Sequence, residues 1–153
     1  MRGENATKIQ GVGHVVLKVR DLERSVRFYS GVLGLKEVGR LGDQMVFFSA
    51  GVNHHDLAVL AVGPDAPAPP RTAVGLYHVA FKIGDSLEEL REAKALLDSS
   101  GVPIRALRDH RVSQSIYTAD PDGNMVELFV DADPAIWAED PASVATVRPL
   151  ALG

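Results

Sequence analysis

Two stretches of this chain alternate strictly between its two faces. Gly13–Arg20 reads GHVVLKVR and Tyr77–Gly84 reads YHVAFKIG. A period of two is the mark of a β-strand, whose successive side chains point to opposite sides. In the first stretch Val15, Leu17 and Val19 take one face, and His14, Val16 and Lys18 the other. In the second, Val79, Phe81 and Ile83 oppose His78, Ala80 and Lys82. An offset of 64 places His14 on His78, Val15 on Val79, Lys18 on Lys82 and Asp21 on Asp85. The two histidines thus occupy equivalent positions on equivalent faces of a repeated unit.

Each strand runs into a helical period. Leu22, Val26 and Tyr29 form one stripe, with Asp21 as N-cap and a stop at Gly31–Gly34. Ser86–Ser99 is the counterpart, with Leu87, Leu90, Lys94 and Leu97 at helical spacing and Gly101 as its stop. Three strand-like runs follow each helix: Lys36–Arg40, Gln44–Ser49 and Asp56–Val62, then Pro103–Arg108, Gln114–Ala119 and Met125–Val130. Asp120-Pro121-Asp122-Gly123-Asn124 is a strong hairpin signal between the last two. The chain therefore reads as an α+β protein of two tandem βαβββ modules, residues 1–62 and 77–130. A proline-rich connector, 63–76, joins them. The tail, 131–153, has no clear period; Trp137 is expected to pin it to a surface, with the rest mobile.

Composition narrows the chemistry. Sixteen basic against twenty acidic residues give a net charge of −4, which argues against a broad nucleic-acid footprint. No apolar run is long enough to cross a bilayer, and the N-terminal MRGENATK lacks a signal-peptide core, so a cytoplasmic location is expected. The absence of cysteine excludes disulfides, thiolate metal sites and cysteine nucleophiles. A phosphate-binding glycine loop and a G-x-S-x-G elbow are also missing. Any metal must be held by carboxylates and by the five histidines, His14, His54, His55, His78 and His110.

In Met125–Val130 one acid, Glu127, shares a face with Met125 and Phe129 inside an otherwise apolar strand, where an unpaired charge is costly. It could pair with Lys82 or face water, and each strand histidine could simply hydrogen-bond a neighbour. Taken together, His14, His78 and Glu127 are two imidazoles and a carboxylate, a set that binds a divalent metal on one side and leaves positions open. The first-module counterpart of Glu127 lies near Ala58, which cannot ligate. A further expectation follows from the strands at each module's edge: they need covering, and a homodimer would cover them.

GVGHVVLKVRDLERSVRFYSGVLGL, YHVAFKI and YTADPDGNMVELF together resemble the vicinal oxygen chelate superfamily of glyoxalases, extradiol dioxygenases, fosfomycin-resistance transferases and bleomycin-binding proteins. The resemblance covers Val12 to Val130. It implies a cup of paired modules around a metal held by His14, His78 and Glu127. NHHDLAVL and DHRVSQSIYTADPDGNMVELF resemble small catechol 2,3-dioxygenase-like members in particular. That resemblance implies an Fe(II) or Mn(II) enzyme cleaving a catechol-like vicinal diol with O₂. His55 would be its acid–base, with His54 as the alternative, and His110 and Tyr117 would contact the substrate. A thiol transferase, glyoxalase or epimerase on the same cup is the first alternative, and a metal-free antibiotic-binding protein the second.

Overall fold

β1 (Val15–Val19) begins one residue after His14 and leads to Asp21, whose carboxylate accepts from the Arg24 N–H and caps α1 (Leu22–Val26). A π-helical turn over Arg27–Val32 widens the end of this helix before β2 (Lys36–Leu41), β3 (Met45–Ser49) and β4 (Leu57–Ala61). The second module repeats the order with β5 (Val79–Gly84), α2 (Leu87–Ser99), β6 (Ala106–Asp109), β7 (Ser113–Ala119) and β8 (Met125–Asp131). Ser86 and Glu89 cap α2 reciprocally, each side chain taking the other's backbone N–H. The computed structural model describes residues 7–153, so Met1–Ala6 of the N-terminal stretch lie outside the described residues. Among the described residues no helix is long and apolar enough to cross a membrane.

The strands form two mixed sheets, ordered β1-β4-β3-β2 and β5-β8-β7-β6, the second extended by a short β9 (Arg148–Pro149) beside β6. In each module the first strand runs parallel to the last. Val16 faces Ala58 across β1–β4, and Ala80 faces Glu127 across β5–β8. Val16 and Ala80 are repeat equivalents, so the register makes Ala58 the true counterpart of Glu127. Across the antiparallel neighbour, Ala58 meets Phe47 while Glu127 meets Tyr117.

One face of each sheet is apolar and buried. Leu17, Val19, Val46, Phe48 and Val59 pack with Phe28 and Tyr29, and Ile116, Val126, Leu128 and Val130 with Leu90 and Leu97, all in one core. Each such side chain contributes about 1.5–3 kcal/mol on burial. A polar latch crosses between the modules at their ends. The fully buried Tyr29 hydroxyl donates to Asp120 Oδ2 at 2.8 Å, and Asp120 Oδ1 accepts from the Asp122 and Asn124 N–H groups. Arg20 pairs with Asp122 at 3.2 Å, and the Asn124 amide reaches the Lys18 carbonyl. The Asp120–Asn124 hairpin is therefore a joint between modules as well as a turn, with Gly123 in the left-handed region at φ 89°.

Two expectations are corrected here. The strand expected over Pro103–Arg108 begins only at Ala106, because proline has no N–H to give a ladder. The tail is not a mobile end pinned by tryptophan. It folds into α3 (Pro134–Glu139), a 3₁₀ turn over Pro141–Ala145 and β9, and it is Leu152 that is buried, at 4% exposure, whereas Trp137 is 55% exposed.

Candidate metal centre

The second module brings its ligand residues together through the sheet register. His78 stands at the mouth of β5, Glu127 lies on the adjacent β8, and Tyr117 is directly opposite Glu127 on β7. His78 Nε2 and Glu127 Oε2 lie 2.9 Å apart. Two donors held at a right angle by one first-row divalent ion, at about 2.1 Å each, sit about 3 Å apart. Glu127 is 7% exposed, and Ser115 Oγ donates to its other oxygen, Oε1. Lys82 is not its partner: that ammonium binds Asp85 and Asp131 at 2.7 and 2.9 Å on the surface. His78 Nδ1 is buried with no hydrogen-bond partner among the described residues. The donor set and its spacing fit two corners of a metal site.

Behind this pair lies a phenol–imidazole contact. His110, in the turn between β6 and β7, places Nε2 2.8 Å from the Tyr117 hydroxyl and Nδ1 2.9 Å from the Thr146 carbonyl oxygen. Burial, and then the Glu127 charge, push the Tyr117 pKa up to about 12, so the group is a neutral phenol at neutral pH. The ring of His78 meets Tyr117 edge-on with centroids 5.6 Å apart.

Histidines dominate the first module's share. His54 and His55 lie in the loop that precedes β4, so strand alternation does not govern them. His55 is half-buried, its ring 4.2 Å from that of His14 and edge-on to Phe47 at 5.5 Å. His54 is exposed and turns Nδ1 to within 2.6 Å of His55 Nδ1. Partial desolvation, followed by the neighbouring His14 and His54, lowers the His55 pKa and favours its neutral, basic form.

The expected ligand set is thus divided. His78 and Glu127 pair with each other, His14 stacks on His55, and among the described residues no group of three histidines or carboxylates within one chain is arranged to hold a metal. His110 and Tyr117 come together in direct contact, beside Glu127. Ser115 and Phe47 were not singled out from the sequence. Ser115 was recoverable, since it alternates with Tyr117 on the same face. The Thr146 carbonyl left no sequence signal, because every residue carries one.

The sequence profile of the Glyoxalase/Bleomycin resistance protein/Dioxygenase superfamily matches residues 11–128. The chain belongs to this superfamily. Among its relatives is the catechol-2,3-dioxygenase of Bacillus subtilis (strain 168), 35% identical over 130 residues that make up 84% of this chain and 44% of that protein. The chain therefore spans less than half the length of that relative. The metallothiol transferase FosB of Lysinibacillus sphaericus (strain C3-41) is 33% identical over 121 residues, 78% of this chain and 82% of that one. A glyoxalase/dioxygenase from Nostoc punctiforme superposes with a TM-score of 0.69 at 23% identity, covering 84% of this chain and 99% of the other, which shows the shared fold. In this member of the superfamily the His78–Glu127 pair and Tyr117 lie in the second module, and His14, His54 and His55 in the first.

Proposed function

We propose that the chain is an extradiol-type dioxygenase acting on a catechol-like aromatic vicinal diol, with Fe(II) or Mn(II) held by His14, His78 and Glu127. The observation that carries this reading is the His78–Glu127 donor pair backed by the Tyr117–His110 contact. It combines two ligands with a hydroxyl donor and a base, which a chelating diol substrate would use together. The similarity to a catechol-2,3-dioxygenase supports it. When bound, the metal would supply adjacent open positions for the two diol oxygens and for O₂. His55, neutral and with Nδ1 turned toward His54, would take a diol proton at Nε2 and later return it to a departing oxygen. Tyr117 would hold the second diol oxygen, and Phe47 would wall the first-module side. The test is a catechol panel in air with anaerobically Fe(II)-loaded protein; a yellow ring-cleavage product is expected, and none from any member at full metal occupancy overturns the reading.

Because the ligands are divided, this function calls for two copies of the chain. β1 and β5 are both unpaired sheet edges, with a cleft of about 480 Å³ between them lined by Val15, Leu35, Val79, Phe81 and Leu128. Val12, Val16, Leu76 and Tyr77 stand exposed along these edges. We place the His14–His55 half of one protomer against the His78–Glu127 half of its partner in a homodimer with two-fold symmetry.

A second reading is favoured by one observation. The FosB relative is matched over most of its own length, whereas the dioxygenase relative is matched over less than half. A metal-dependent thiol transferase would need neither His55 nor His110. Loss of a thiol in the presence of fosfomycin and Mn(II), unaffected by His55→Ala, would select it.

A further inference from the structure

His110 is clamped by the C-terminal segment. β9 pairs with β6, placing Pro149 opposite Arg108 and Arg148 opposite Asp109. The Arg148 guanidinium binds Asp109 Oδ2 at 2.9 Å, and Arg111 reaches Asp140 at 3.5 Å. Leu152 is buried, and its carbonyl accepts from Arg91 of α2 at 2.9 Å. The turn thus held is unusual: Arg111 has φ 69°, a left-handed conformation uncommon for a side chain of its kind, and its N–H donates to Asp109 Oδ1 at 2.8 Å.

We infer that this segment is a working part of the site, with the Thr146 carbonyl as the positioning group that holds His110 in its Nδ1–H tautomer. A carbonyl oxygen only accepts, so the proton of the neutral ring belongs on Nδ1. Nε2 then carries the lone pair and accepts the Tyr117 proton at 2.8 Å. Glu127, which is also within hydrogen-bonding reach of the Tyr117 hydroxyl, competes for that proton; with Nε2 as the acceptor the phenol oxygen keeps its lone pairs for the substrate side. A hydroxyl bound there gives its proton to Tyr117 Oη as the Tyr117 proton moves to His110 Nε2. The imidazolium so formed keeps its Nδ1–H on Thr146, and Tyr117 ends neutral. Removing the segment's grip frees the ring to adopt the other tautomer, in which Nε2–H opposes the Tyr117 proton and the path is blocked. The proton path rests on the diol reading; the tautomer does not.

The experiment is long-range ¹H–¹⁵N correlation of the histidine rings in the full chain free of paramagnetic ions, with the His110 signals assigned by their loss in His110→Asn. An Nδ1–H pattern is expected, and an Nε2–H pattern overturns the inference. Arg148→Glu sets two carboxylates against each other at the β6–β9 contact, with β6 and β7 between β9 and the strand that carries Glu127. It should shift His110 to a mixture and lower kcat about 10–100-fold, by analogy with the loss of a hydrogen-bond partner that orients a site histidine, with metal content unchanged because His110 is not among the proposed ligands. Arg148→Lys should restore both. If Arg148→Glu folds and leaves the His110 signal untouched, the segment does not hold the ring and the inference fails. If the signal behaves as expected but no catechol is cleaved, the tautomer control stands and the dioxygenase reading falls.

Discussion

His54 and His55 are neighbours in sequence with different surroundings. His55 is wedged between His14 and Phe47, while His54 is exposed and touches only the His55 ring among the aromatic groups. His55→Ala is expected to keep metal content near wild type and to lower turnover by about 10²–10⁴-fold, the worth of a positioned acid–base. His54→Ala removes one of the neighbours that lower the His55 pKa, so it should keep the metal and cost less than about tenfold. Glu127→Gln preserves shape but removes the ligand charge, so iron analysis should show the metal lost along with the activity. Metal content and turnover measured for these three variants separate ligand, acid–base and bystander.

At the scale of elements, the latch between the π-helical turn after α1 and the β7–β8 hairpin has a pH signature. Burial, and then the Asp120 charge, hold the Tyr29 pKa far above its ordinary 10. A group whose folded pKa is raised contributes its stability fully below the unfolded value. That stability declines once pH passes about 10, where the unfolded chain ionises and the folded one does not. Tyr29→Phe should therefore lower stability by about 1.5–3 kcal/mol at pH 7, the range for a hydrogen bond to a charged group. The deficit should shrink above about pH 10. Urea titrations of the two proteins at pH 7, 9 and 10.5 read this directly, and a gap that stays constant across them would refute it.

At the scale of the whole molecule, the proposed site shared between two protomers would tie metal binding to assembly. On that proposal the ion would bind only the dimer, so metal affinity should rise with chain concentration; titrations at two protein concentrations spanning dimer dissociation should differ. Mixing two inactive variants gives a sharper test. His14→Ala and Glu127→Gln chains, exchanged freely, form mixed dimers in which one site inherits both faults and the other none. About a quarter of wild-type activity should return. A mixture as inactive as its components would place all three ligands within one chain.

Alternation is a local property of the backbone, and the sequence carried it twice. The faces of β1 and β5 and the equivalence of His14 with His78 follow from a period of two and a repeat of 64, whereas Ala58 and Glu127, 69 residues apart, are matched only by the register of their sheets. The helix start at Asp21 and the Asp120–Asn124 turn were equally legible, because caps and turns depend on side chains a few residues apart. Which groups finally meet is a different matter. That Glu127 takes His78 rather than Lys82, and that His14 lies against His55 instead of joining them, depends on how two sheets and their edges are disposed in space. The tail is the extreme case: its place beside β6 is set by an ion pair, a buried leucine and a main-chain carbonyl, contacts made across 36 to 61 residues of chain that leave no periodic trace. Local rules fix which way each side chain points, and only the packed structure decides what stands there to receive it.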